Sequence, residues 1–216
     1  MIKNKTKKYN FSDDRGFTIM ETLVAIFILL LAITGPMVFS QSALRAAFQS
    51  RDQITAFYLA QDAIEFVKNK RDDNVLLGKT GFNNGAGDYW LDGLDECITS
   101  GVDDFGCTID TTVSLGEITE CSPRASDPGC LGEIDDGSDD NKLRINDEGL
   151  FVNAISSDDS ESKFARNIYI REVAEVAGGT EAEIVVKVRW TSHDTIGVRD
   201  ITVVEYMYNW ANELGL

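Results

Sequence analysis

The sequence predicts an α+β fold, with a long N-terminal α-helix packed on a C-terminal antiparallel β-sheet and a disulfide-stapled loop region between them. Three observations carry this reading. The run Leu23 to Phe39 is apolar, and helical spacing of apolar residues continues to about Arg71. Four cysteines, Cys97, Cys107, Cys121 and Cys130, fall in a glycine-punctuated middle. Near the end, Ile184, Val186, Val188 and Trp190 alternate with Glu183, Lys187 and Arg189, the period-two pattern of a half-buried strand.

The chain opens on a short polar arm in which Lys3, Lys5, Lys7, Lys8 and Arg15 outweigh Asp13 and Asp14. Such an arm stays on the cytoplasmic side of a membrane, which places everything after the apolar run outside. A helix from Phe17 to Phe39 spans about 35 Å at about 1.5 Å per residue, enough for a hydrocarbon core of about 30 Å. Glu21 is the only charge in that span. A carboxylate inside a membrane helix costs roughly 2.5 to 3.5 kcal/mol, so a partner for it is expected, on another subunit. An ordinary secretory signal is cut after its apolar region. Here the small residue, Gly16, stands before it, so a cut there leaves the helix on the product.

These residues, Gly16-Phe17-Thr18 followed by Glu21 at the head of an apolar helix, resemble the prepilin signal of type IV pilins, type II secretion pseudopilins and competence pilins. The resemblance implies that a membrane prepilin peptidase cuts between Gly16 and Phe17 and methylates the new Phe17 amine. It also implies that the Glu21 carboxylate meets the Phe17 amine of a neighbouring subunit. Pro36, after Gly35, fits the family habit of a helix-weakening proline near the end of the buried segment, since proline lacks a backbone donor and crowds the preceding turn. The leader, 1–16, is longer than the shortest in the family, and Asp13 and Asp14 crowd its cleavage site.

The helix, 17–71, divides into a membrane and filament-core part, 17–39, and an amphipathic part, 40–71. In the latter Ala56, Phe57, Leu59, Ala60, Ala63, Ile64, Phe66 and Val67 share one arc, with Asp62, Glu65, Lys68 and Asn69 opposite. Asp72-Asp73-Asn74 then breaks the pattern. Residues 72–216 form one exported head of common single-domain size. It carries 30 acidic and 10 basic side chains, about −20 net, which repels phosphate backbones and argues against direct nucleic-acid binding.

An even cysteine count in an exported head reads as two disulfides. The gaps between the cysteines lack the close C-x-x-C pairs of a zinc site. Four cysteines allow three pairings. The short, Gly- and Pro-punctuated loops favour Cys97 with Cys107 and Cys121 with Cys130, each closure contributing roughly 2.5 to 3 kcal/mol. The rest of 78–162 reads as irregular loops and short strands. Strands are expected at Lys163 to Val176, Ala182 to Trp190 and Val198 to Tyr208, a three-stranded meander joined by Gly178-Gly179 and by His193 to Gly197. This head also resembles those of minor pilins and the smaller pseudopilins.

No catalytic constellation is legible, and His193, the only histidine, falls in an expected hairpin loop. Asp135, Asp136, Asp139 and Asp140 offer the oxygen ligands that calcium takes, and some pseudopilins hold calcium in a head loop. Their spacing departs from the EF-hand pattern, so the reading is a solvated acidic loop without a cofactor, with Ca2+ as the alternative. The expected function is therefore that of a non-enzymatic filament subunit, a minor pilin or pseudopilin, anchored in the inner membrane before assembly and in a surface or periplasmic filament after it. Its partners would be other pilin subunits, the prepilin peptidase and an inner-membrane assembly platform. The alternatives are a major pilin of a type IV pilus and, in another class, a membrane-anchored adhesin or enzyme.

Overall fold

The structure, a computed structural model, describes residues 16, 18–81, 88–99, 105–113, 116–121, 130, 142–153, 159–173, 181–191 and 197–210. The chain divides into two compact units, Met1–Ala47 and Phe48–Leu216. Helix α1, Ile19–Leu76, has 58 residues and contributes to both.

The helix starts where Thr18 caps it, and it ends at a glycine rather than at the acidic cluster. Gly78 adopts φ +76°, a left-handed conformation that favours a residue without Cβ. The Lys79 amide donates to the Asn74 carbonyl (2.9 Å) and the Gly78 amide to that of Val75 (2.9 Å), the paired bonds of a Schellman cap. The boundary expected at Arg71 is thus corrected to Leu76. Asp72, Asp73 and Asn74 stay helical because that cap satisfies the last carbonyls. Asn74 is buried and donates to the carbonyls of Trp90 (3.1 Å) and Asp92 (2.9 Å), so a residue that reads as a breaker is held inside the helix by the loop it anchors.

In the second unit the main sheet is antiparallel and five-stranded, not a three-stranded meander. Its strands are β1 (Cys107–Asp110), β2 (Glu117–Glu120), β6 (Phe164–Glu172), β7 (Glu181–Thr191) and β8 (Val198–Tyr208), in the order β2-β1-β6-β7-β8. The expected meander is β6-β7-β8. Two short strands from the cysteine-rich region extend it, with Cys107 opposite Ile168. A second sheet of three two-residue strands, β3 (Arg144–Ile145), β4 (Phe151–Val152) and β5 (Ser160–Glu161), has the order β4-β3-β5. Residues 174–180 and 192–196, which make up most of the two connections of the meander, lie outside the described residues.

Register places Ile168, Val186 and Val203 in one row across β6, β7 and β8, and Ile170 beside Ile184. Ile168, Ile170, Ile184 and Val186 join Ala56, Leu59, Ala60, Ala63, Ile64 and Val67 of α1 in a single buried cluster, and Val203 packs against it partly buried. Alanines at the centre of the helix stripe let backbone and sheet approach closely, and burying the larger side chains contributes roughly 1.5 to 3 kcal/mol each. The disulfides join Cys97 to Cys107 and Cys121 to Cys130, the pairing that the short loops favoured. The first clips a 3-10 turn, Asp95–Cys97, to the start of β1 and is wholly buried.

Candidate functional site

Two surfaces carry the functional reading, one in each unit. In the first unit the Glu21 amide donates to the Thr18 carbonyl (3.1 Å) and hydroxyl (3.3 Å), so Thr18 is the N-cap and Glu21 the third helical residue. Thr18 and Glu21 have the spacing of a capping box, and the carboxylate sits in the first turn, where the helix dipole favours negative charge. The sequence reading assigned Glu21 to a neighbour's amine and missed this local role, although Thr-x-x-Glu was its signal. Phe17 lies outside the described residues, and Gly16 is exposed.

From Ile19 to Ala47 every side chain of α1 is exposed, including Ile26, Phe27, Leu30, Ile33 and Phe39. The helix is long and apolar enough to cross a membrane. Pro36 lies inside it, and the helix continues on both sides. The missing proline N–H leaves the Ala32 carbonyl without its usual donor, a local weakening without a break.

In the second unit a buried cation fixes the helix on the sheet. Arg166 on β6 shares strand parity with Phe164, Ile168 and Ile170, which turns it into the core, and it is 2% exposed. Its guanidinium donates to the Leu59 carbonyl (2.9 Å), the Asp62 carboxylate (3.0 Å) and the Ile109 carbonyl. Burial pushes its pKa down, while Asp62 and Asp110 oppose that shift. One side chain therefore ties α1, β1 and β6 together. Lys163 at the entry to β6 pairs with Asp52 (2.5 Å), and Lys68 pairs with Glu205 on β8. At 100° per residue Asp62 and Lys68 fall on opposite flanks of the buried stripe, not behind it. Sequence reasoning missed Arg166; its parity with three apolar neighbours was the available signal.

Phe57, expected in the core, is 45% exposed. It sits at the edge of the stripe on the β8 side. Together Ile54, Phe57 and Tyr58 of α1 and Ile201 and Val203 of β8 line a groove of about 640 Å³, whose remaining lining is glutamine and threonine. No lining residue is charged. On β8, Tyr206 donates to Glu183 (3.1 Å), and the glutamates Glu183 and Glu181 push the phenols of Tyr206 and Tyr208 up.

Among the described residues no group of three or more His, Cys, Asp or Glu is placed to hold a metal. Asp135, Asp136, Asp139, Asp140 and His193 all lie outside the described residues. No protein-family model, curated protein or solved structure matches the chain.

Proposed function

We propose that the chain is a structural subunit of a type IV pilus or a related secretion or competence filament, a minor pilin or pseudopilin processed at Gly16. The observation that carries this is α1 itself. Gly16-Phe17-Thr18 precede in sequence, and Glu21 stands in the first turn of, a continuous helix whose first part is apolar and exposed throughout, while its second part is the core element of an α+β head. An exposed apolar helix of that length needs a non-aqueous surrounding, first lipid and then the helices of other subunits.

In this reading a prepilin peptidase removes residues 1–16 and methylates Phe17, and an inner-membrane platform passes the subunit into the filament. Glu21 then pairs with the Phe17 amine of a neighbour, because burying either charge alone costs more than burying the pair. The pair also fixes axial register. Intact-mass measurement of assembled material tests this: the mature chain should begin at a methylated Phe17, and Gly16→Leu should leave uncut precursor in the membrane. An N-terminus at Met1 in assembled material refutes it.

A further inference from the structure

The two edges of the main sheet are closed to different degrees. β2 has four residues, with Glu117 and Glu120 at its ends. β8 has eleven, pairs with β7 without a bulge, and has no strand on its other side among the described residues. Which of its backbone groups face outward follows from its neighbour. The Glu181 carbonyl accepts from the Val173 amide (3.0 Å) and the Thr191 amide donates to the Lys163 carbonyl (3.4 Å), so odd-numbered residues of β7 turn toward β6 and even-numbered ones toward β8. The even-numbered residues stand opposite odd-numbered residues of β8, Val186 opposite Val203 and Ile184 opposite Glu205. The amides and carbonyls of Thr202, Val204, Tyr206 and Tyr208 therefore point away from β7. The Arg71 side chain, which donates to the Tyr208 carbonyl (3.4 Å), fits this assignment. We propose that residues 202–206 of β8 accept an extended strand from another protein, one with apolar residues on its inner face and lysine or arginine on its outer face.

Backbone donors and acceptors repeated along an edge select an extended backbone, because only another strand meets them in succession. Folded proteins ordinarily blunt such an edge with Lys, Pro, a bulge or a short strand. Residues 200–208 contain neither Lys nor Pro, and the inward Glu205 is neutralised by Lys68. Side chains of the incoming strand follow the alternation of β8. On the inner face they meet Ile201 and Val203 and no charged group, which suits Val or Ile. On the outer face they meet the exposed rings of Tyr206 and Tyr208, with Glu183 and Glu181 opposite these on β7. Arg171 offsets Glu183 (3.7 Å), which leaves Glu181 in excess. Exposed rings beside a carboxylate, on a head of about −20, favour a cation.

A second copy of this chain fits the edge poorly. Residues 54–71 of α1 run beside β8 in the same direction, with Ile54 and Phe57 near Ile201 and Val203, Lys68 at Glu205 and Arg71 at Tyr208. Two β8 strands paired antiparallel would turn the second helix end for end, against the common direction of subunits in one filament; this step alone rests on the filament reading above. The other edge, β2, would bring Glu117 and Glu120 to an already acidic surface.

Residue-resolved hydrogen exchange of the detergent-solubilised full chain tests the edge. In the free chain the amides of Thr202, Val204 and Tyr206 should exchange about tenfold or more faster than those of Ile201, Val203 and Glu205, which bond to β7. The probe is the capped peptide acetyl-Lys-Val-Thr-Val-Lys-Val-Lys-amide at saturating concentration. It should slow Thr202, Val204 and Tyr206 about tenfold and leave the odd-numbered amides unchanged. An analogue with its interior amides N-methylated, and another with Glu in place of Lys, should each bind about tenfold less well. Val204→Pro removes an outward donor without removing a bond to β7, so it should weaken the peptide about tenfold in a chain that still folds. If that variant unfolds, the exchange pattern of the parent decides. Equal binding of the N-methylated peptide, no added protection at these three amides, or edge amides already protected in the free chain overturns strand addition. Protection that rises with chain concentration and without peptide overturns it in favour of a second copy. None of these outcomes touches processing at Gly16, so the filament reading stands or falls separately.

Discussion

The two parts of α1 share one backbone and differ in what their side chains demand. Among residues 19–47 only Glu21 and Arg45 are charged, and none is buried. Residues 48–76 bury Ala56, Leu59, Ala60, Ala63, Ile64, Val67 and Asn74 and carry Asp52, Asp62 and Lys68 to the sheet. The lesson is that helix length says little about environment. What separates the exposed part from the packed part is the appearance of small residues at helical spacing with charges on both flanks.

If the packed part is held as described, its largest weakness is Arg166. Arg166→Met removes the group that satisfies the Leu59 and Ile109 carbonyls, and it should cost about 3 kcal/mol in denaturant unfolding of the detergent-solubilised chain, the lower end for a broken buried pair because Asp62 is half-exposed. A loss below about 0.5 kcal/mol would mean that packing alone seats the helix. Replacing Cys97 and Cys107 together by Ala should cost slightly less, about 2.5 kcal/mol, and a reductant should lower the variant by about as much again, because Cys121–Cys130 remains in it.

Under the filament proposal, residues 19–47 should respond in assembly and not in stability. Glu21→Leu keeps Gly16 and the apolar run, so it should insert and be cut, yet enter filaments about tenfold less well, a loss of about 1.4 kcal/mol of subunit pairing. Equal incorporation would remove charge pairing as the recruiting step, and a drop in head stability would erase the distinction between the halves. The smallest effect is at the end of the packed part. Gly78→Ala forces a Cβ into φ +76° and should cost about 1 kcal/mol, read as a shift in unfolding midpoint without a change in slope.

Much of this fold was legible in the sequence. The alternation from Ile184 to Trp190 gave β7 within one residue at each end, because a strand with one buried face writes its period into the chain. The short strands at Cys107 and Glu117 were not legible, since four residues between turns are too few to show a period. Asp72-Asp73-Asn74 misled because local composition was weighed and the Gly78 cap was not. Phe57 was read as core because an arc on a helical wheel has no edge until the sheet that covers it is known. Gly16-Phe17-Thr18 and Glu21 stood out in one dimension, whereas Arg166 acquires its role only from three segments distant in sequence.

That distance bears on how the chain reaches its native state. Arg166 lies 104 residues beyond Asp62, and Glu205 lies 137 beyond Lys68. Contacts so remote carry a large loop-closure cost before they repay it, so the head nucleates late and slowly compared with a bundle of local contacts. At a synthesis rate of about 5 to 20 residues per second, the buried stripe of α1 waits roughly 5 to 30 seconds between its own emergence and that of β8. During that interval an apolar helix face has no sheet to cover it. A truncation before Val198 leaves that face uncovered for good, and it should aggregate in a sedimentation assay instead of yielding a smaller folded unit.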